Sequence, residues 1–272
     1  MEGTLVKVDG HNMNIYQEGS GEHTIVFLAG SGIPSPVFEY RTLYRCLARY
    51  CKVVVIEKFG YGYSDVVDTE RSFETMLRQD REALSALGIN GPFILCPHSM
   101  SGVEALKWAQ EHPQEVEAVV GLDMAVPEAY DTIEERIKKA ESSWKLFAFL
   151  KKTGLLSLLY KPAKTLSKED QEEYRKIACD KIGNITTRKE AEGIAAVRDE
   201  IRSRPKPDVP FLFFVSNGKG TGDKEDIWRG FTATYSKDLR SAKTINVSCG
   251  HNLHNVEYEL IAKELRTFID DL

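Results

Sequence analysis

The stretch LCPHSMSG, Leu95 to Gly102, stands where an apolar run gives way to a helical pattern. The run before it, PFILC (92–96), is short, continuous and bounded by turn residues, which predicts a buried strand. The segment after it, MSGVEALKWAQEHP (100–113), carries Val103, Leu106 and Ala109 at helical spacing and stops at Pro113. A serine in a tight strand-to-helix turn can be a nucleophile held on strained backbone at the top of a sheet. Its neighbours two before and two after must then be small, or they collide with the adjacent strand and helix. For Ser99 those neighbours are Pro97 and Ser101. For Ser101 they are Ser99 and the β-branched Val103, so Ser99 is the better candidate. A serine before a helix can equally be an N-cap, so the rest of the chain has to supply its partners.

Outward from this turn, five more apolar runs read as strands: TIVFL (24–28), KVVVIE (52–57), EAVVGLD (117–123), PFLFFVS (210–216) and AKTINVS (242–248). They resemble strands covered on both faces. LVKVDG and MNIYQEG at the start read as an antiparallel ribbon at the sheet's edge. Helical patterns alternate with the runs. SFETMLRQDREALSALG places Phe73, Met76, Leu77, Leu84 and Leu87 on one face and stops at Gly88, and VEYELIAKELRTFIDDL places Leu260, Ile261, Leu265, Phe268 and Ile269 at helical spacing. The alternation predicts an α/β fold, a mostly parallel sheet with helices on both faces. Residues 127–207 break it: they are charged and lysine-rich, hold about four helical patterns and no strand, and include the apolar patches WKLFAFL (144–150) and LLSLLY (155–160). They predict a helical insertion over one end of a core made of residues 1–126 and 208–272. A crossover needs far fewer residues than this.

Four segments together resemble the α/β-hydrolase superfamily. LCPHSMSG is similar to its Gly-His-Ser-Met-Gly-Gly elbow, EKFGYGYSD (57–65) to its Asp-x-x-Gly-x-Gly-x-Ser segment, VFLAGSG (26–32) to its His-Gly oxyanion loop, and SCGHNLHNVEYELIAKEL (248–265) to its Gly-His-x-x-His segment and last helix. Order and spacing match along almost the whole chain, and the insertion falls where that family places a helical cap. Pro97 and Ser101 replace glycines, and Ala29 replaces the usual histidine before Gly30. The oxyanion donors there are backbone N–H groups, which the resemblance assigns to Ser31; Met100, just after the nucleophile at a helix N-terminus, supplies the second.

A serine hydroxyl needs an imidazole to take its proton, and the imidazole needs a carboxylate to fix its tautomer. Of the six histidines, His11 and His23 precede the core strands, His98 adjoins Ser99, and His112 ends a helix. His251 and His254 follow the last strand, on the sheet end that carries Ser99. Spacing leaves both open; His251 matches the superfamily's catalytic position, with His254 as a polar support. The acid usually follows the strand PFLFFVS, yet its continuation NGKGTGDKED has no acidic residue at the expected turn. Asp123, at the end of the preceding strand, is the first candidate and keeps the chain order Ser, Asp, His. Asp223 is the alternative acid, and Asp226 stands behind both.

Composition bounds the rest. The chain has 272 residues, 42% hydrophobic and 28% charged, with a formal net charge of −5, as for an ordinary globule without nucleic acid or an anionic membrane as main partner. No basic start followed by an apolar stretch suggests a signal peptide, and no apolar run nears the ~18 residues of a membrane span. Five cysteines without a CxxC pair fit free thiols in a reducing cytoplasm. No metal-ligand spacing is present and no cofactor is implied. GKGTG (218–222) lacks the rest of a phosphate-loop pattern, and no helix clearly follows it, so it reads as a flexible loop. The lysine pairs and RSRPK (202–206) read as solvated surface, and Trp144, Phe147 and Phe149 as helix packing or an acyl pocket. The expectation is a carboxylesterase-like serine hydrolase acting on a small-molecule acyl substrate. Acyl transfer, amide or peptide cleavage, carbon–carbon cleavage and non-catalytic ligand binding are the alternatives. Serine instead of aspartate at the elbow argues against the dehalogenase and epoxide-hydrolase branches.

Overall fold

A computed structural model describes residues 1–131, 150–151, 153, 156 and 160–272. Eight strands form one sheet: β1 Thr4–Val8, β2 His11–Glu18, β3 Thr24–Leu28, β4 Lys52–Glu57, β5 Phe93–Pro97, β6 Val116–Leu122, β7 Phe211–Val215 and β8 Ala242–Asn246. Their spatial order is β1-β2-β4-β3-β5-β6-β7-β8. The first two pairings, β1 with β2 and β2 with β4, are antiparallel, as the edge ribbon predicted, and every later pairing is parallel.

Side chains alternate across a strand, so each central run divides between two cores. Val26, Leu28, Val54, Ile56, Leu95, Val119, Phe211 and Phe213 face one. Ile25, Phe27, Val53, Val55, Ile94, Val120, Leu212 and Phe214 face the other. Helices cover both faces: α1 Pro36–Glu39 and α2 Arg41–Leu47, then α3 Phe73–Ala86, α4 Ser101–Glu111, α5 Lys168–Lys181, α6 Ile185–Lys189, α7 Ile194–Ser203, α8 Glu225–Ser236 and α9 Tyr258–Asp270. In α3, the Ser72 hydroxyl accepts from the Thr75 amide as an N-cap, and Gly88 follows the helix in the left-handed region at φ +65°.

Two expectations need correcting. β8 is not covered on both faces: it is the outermost strand, paired only with β7, and Ala242, Lys243, Thr244 and Asn246 are exposed. A helix does follow the glycine-rich loop, because Trp228, Thr232 and Tyr235 recur at helical spacing and bury α8 against the sheet. Between β6 and β7 the described residues hold α5, α6 and α7 and no strand. Ile194, Val197 and Ile201 of α7 pack into the same core as α4. Trp144, Phe147 and Phe149 lie outside the described residues. All five cysteines are unpaired. Among the described residues no helix is long and apolar enough to cross a membrane.

Candidate active site

The parallel register aligns the C-terminal ends of β3, β5 and β6. Leu28 lies beside Pro97, and His98 bridges to Leu122. The chain turns sharply after Pro97, and Ser99 sits at φ +55°, a left-handed conformation that a serine adopts only at an energetic cost. The turn is held by its main chain. The His98 amide donates to Leu28 O at 3.1 Å, and the amides of Gly102 and Ala125 both donate to Ser99 O, at 3.0 and 2.8 Å.

Ser101 is fully buried. Its hydroxyl donates to Leu28 O at 2.7 Å and accepts from the His98 amide at 3.0 Å, which ties the elbow to β3. Close spacing is also found outside the two flanking positions singled out in the sequence. A Cβ on Gly102 would lie 2.1 Å from Ala125 O, and one on Gly30 would lie 2.7 Å from the Ser99 Cβ. Glycine is what allows both approaches.

His251 lies past β8, on a segment seated by the loop after β7. Its amide donates to Lys219 O at 2.9 Å, and the Asn217 amide donates to Cys249 O at 2.9 Å. Its Nε2 is 2.9 Å from Ser99 Oγ and its Nδ1 is 2.6 Å from Asp123 Oδ2. Asp123 is buried directly after β6, also left-handed at φ +49°. Its Oδ1 accepts from the Ser216 amide at 2.7 Å and from Trp228 Nε1 at 2.8 Å. A carboxylate so held can only accept, so it selects the His251 tautomer with hydrogen on Nδ1 and leaves Nε2 free to accept from serine. Asp226 is exposed in the first turn of α8, and the Asp223 amide donates to Thr221 Oγ1 within the preceding loop; neither is bonded to His251.

No family model matches the sequence. A stretch of 131 residues is 47% identical to the uncharacterized protein YbdG of Bacillus subtilis (strain 168). It covers 48% of this chain, and the chain spans only 40% of that relative's length. The solved structures it resembles cover nearly all of it. They include the haloalkane dehalogenase DbeA from Bradyrhizobium elkani (18% identity, TM-score 0.71, 98% of this chain and 97% of that one). Cfl2 from Burkholderia cenocepacia aligns at 19% identity and TM-score 0.71 over 97% and 94% of the two chains. A variant of a proposed epoxide hydrolase from Pseudomonas aeruginosa aligns at 17% identity and TM-score 0.73 over 98% and 95%. The chain has the α/β-hydrolase fold.

In that fold's elbow Met100 is buried and carries the first amide after Ser99, and Ser31 follows Gly30, whose backbone abuts Ser99. Of the other histidines, His112 caps the C-terminus of α4 and the remaining four divide into two groups. His11 edges the ring of Phe59, and His23 Nδ1 lies 3.0 Å from Glu117 at the far end of the sheet. His98 and His254 instead stand directly behind His251. The His98 ring is 4.6 Å from that of His251 and 4.7 Å from that of His254. His254 is wholly buried, with Nε2 2.9 Å from Glu39 Oε1. Burial alone would push the Glu39 carboxyl up, but its bonds to His254, Tyr174 and Asn255 prevail and hold it below the ordinary value. Burial, reinforced by His251 and His254, pushes His98 well below the usual imidazole range. Sequence reading did not find Ser216, Trp228 or Glu39. Only the spacing of Trp228 within its helix carried a signal. Among the described residues no group of three or more His, Cys, Asp or Glu is placed to hold a metal ion.

Proposed function

We propose that the chain is a serine hydrolase that cleaves an ester or related acyl bond of a small molecule through an acyl-enzyme. The observation that carries this reading is the continuous path from Asp123 Oδ2 to His251 Nδ1 and from His251 Nε2 to Ser99 Oγ, at 2.6 and 2.9 Å. Ser99 Oγ attacks the carbonyl carbon while its proton passes to His251 Nε2. Asp123 holds the resulting imidazolium in place. The N–H groups of Ser31 and Met100 stabilise the tetrahedral oxyanion. His251 then returns the proton to the leaving oxygen as the ester bond breaks, and water, deprotonated by His251, attacks the acyl-enzyme to free the acid and restore Ser99. The insertion at residues 127–207 serves to select what enters.

The nucleophile separates this chain from what its structural relatives are named for. Serine attacking a carbon that bears a halide, or an epoxide carbon, would leave an alkyl ether, with no acyl carbon for water to attack. A carboxylate making the same attack leaves an ester, which water does cleave. The words dehalogenase and epoxide hydrolase therefore bear on the fold and not on the reaction.

Purified protein should label with a fluorophosphonate probe and turn over p-nitrophenyl acyl esters. Ser99→Ala should abolish labelling and lower turnover by roughly 10⁴-fold or more. A wild-type chain that neither labels nor turns over any ester would overturn the reading in favour of non-catalytic ligand binding.

A further inference from the structure

The imidazoles of His251, His98 and His254 are packed in series, and the middle one has no part in the proton path proposed above. His98 is 2% exposed. Its Nε2 is 3.1 Å from the carbonyl oxygen of His251. A carbonyl only accepts, so Nε2 carries a hydrogen and spends it on the His251 main chain. Its Nδ1 is buried with no hydrogen-bond partner and faces Gly30, where a Cβ would lie 3.1 Å away. With no acceptor for a second proton, and with burial and two neighbouring imidazoles opposing charge, His98 stays neutral. Its ring meets that of His251 at a 38° tilt, and the edge of His254 closes its other side at 82°. His254 is anchored in turn on Glu39, which also accepts from Asn255 Nδ2 at 2.8 Å and from the Tyr174 hydroxyl of α5.

We infer that His98 is a positioning residue for His251: its Nε2–H pins the His251 main chain, and its uncharged ring forms the floor on which the His251 imidazole turns toward Ser99, with the His254–Glu39 pair seating that floor. The inference rests on the reading of His251 as the general base. The floor matters because His251 must change charge during each turnover without changing place. A misplacement of about 1 Å can lower a rate by ~100-fold. A floor that itself became charged would repel the imidazolium. Among the described residues, the titratable and charged groups facing this pair are Asp123 after β6, Glu39 and Tyr40 at α1, His254 before α9, and the segment around Lys219 that accepts from the His251 amide.

The test compares His98→Ala with His98→Gln, whose amide N–H can reach the His251 carbonyl. In His98→Ala, kcat for a p-nitrophenyl ester should fall about 10- to 100-fold with KM within about twofold. His98→Gln should recover most of kcat. Nitrogen-15 NMR of the histidines supplies a readout that needs no turnover: His251 should be the Nδ1–H tautomer in wild type and His98→Gln, and a mixture of tautomers in His98→Ala. Unchanged kcat and an unchanged His251 spectrum in His98→Ala would overturn the inference, as would a loss in kcat that glutamine does not restore. A wild type without esterase activity would sink the hydrolase reading alone, and the NMR comparison would still decide the role of His98.

Discussion

Two regions of this molecule bury chains of titratable groups, and they differ in how far they open to solvent. The first runs from Asp123 through His251 to Ser99, with His98, His254 and Glu39 behind. The second joins Lys58 to Glu104 at 2.6 Å and Arg71 to Glu190 at 3.0 Å, with the Tyr61 hydroxyl donating to Glu190 and Asp80 beside Glu104. Both perturb proton affinities. Burial and then Glu104 push the Asp80 carboxyl well above its ordinary value. Burial would lower Lys58, but Glu104, Glu190 and Asp80 reverse that and raise it. What differs is access and strain. The His251 side chain is 18% exposed and Ser99 is half-buried, whereas the Lys58, Glu104, Arg71 and Glu190 side chains are at most 1% exposed. The left-handed residues Ser99 and Asp123 belong to the first region, and the second holds none. A shifted proton affinity therefore marks a site only where a reactive atom also reaches solvent on a backbone bent to present it. The second region is structural. Its two cations face two anions, Asp80 lies beside them, and Glu190 fastens the chain between β6 and β7 to the core.

The largest effect expected from breaking this contrast is in the first region. Asp123→Asn should lower kcat by about 10³- to 10⁴-fold by permitting the wrong His251 tautomer, while Asp223→Asn should stay within about twofold in the same ester assay. Equal losses in the two variants would return the acid to the loop after β7. In the second region, Glu104→Gln leaves Lys58 buried without its counter-charge. It should destabilise the chain by about 3–5 kcal/mol in denaturant unfolding and leave kcat per folded molecule unchanged. A loss of kcat at full stability would erase the distinction between the regions. The smallest effect belongs to Asp80. Its folded-state pKa is raised, so the native chain keeps a proton that the unfolded chain releases above its ordinary value near 3.8. Stability from this group is thus fully present below that pH and is lost as pH rises toward the folded-state value. Asp80→Asn, which cannot ionise, should raise the thermal midpoint at pH 8 by roughly 2–4 °C and do little at pH 4. An equal shift at both pH values would assign the effect to packing.

The sheet was legible because its runs are short, apolar and spaced by helical patterns, and because parallel strands end on a common edge. That edge gathers Ser99, Asp123 and His251 from positions over 150 residues apart in the chain. Asp123 ranks above Asp223 in the sequence because only the former follows directly on a central strand. What holds Asp123 was not legible. The Ser216 amide is a main-chain group with no sequence signature, and Trp228 comes from a helix whose start, GTGDKED, reads as loop. Nor was the burial of charge. Lys58 and Glu104 look like surface residues in their own segments, and only the fold, which brings the residue after β4 beside α4, makes each the other's partner. The exposure of β8 likewise depends on its being the last strand, which composition does not encode.

The left-handed backbone at Ser99 has a consequence for how this sequence can change. Glycine occupies φ near +55° at no steric cost, and asparagine or aspartate at little. A lineage selected for durability alone would drift toward glycine at position 99 and keep the carboxylate at 123. Serine at 99 is the residue that such drift would discard first.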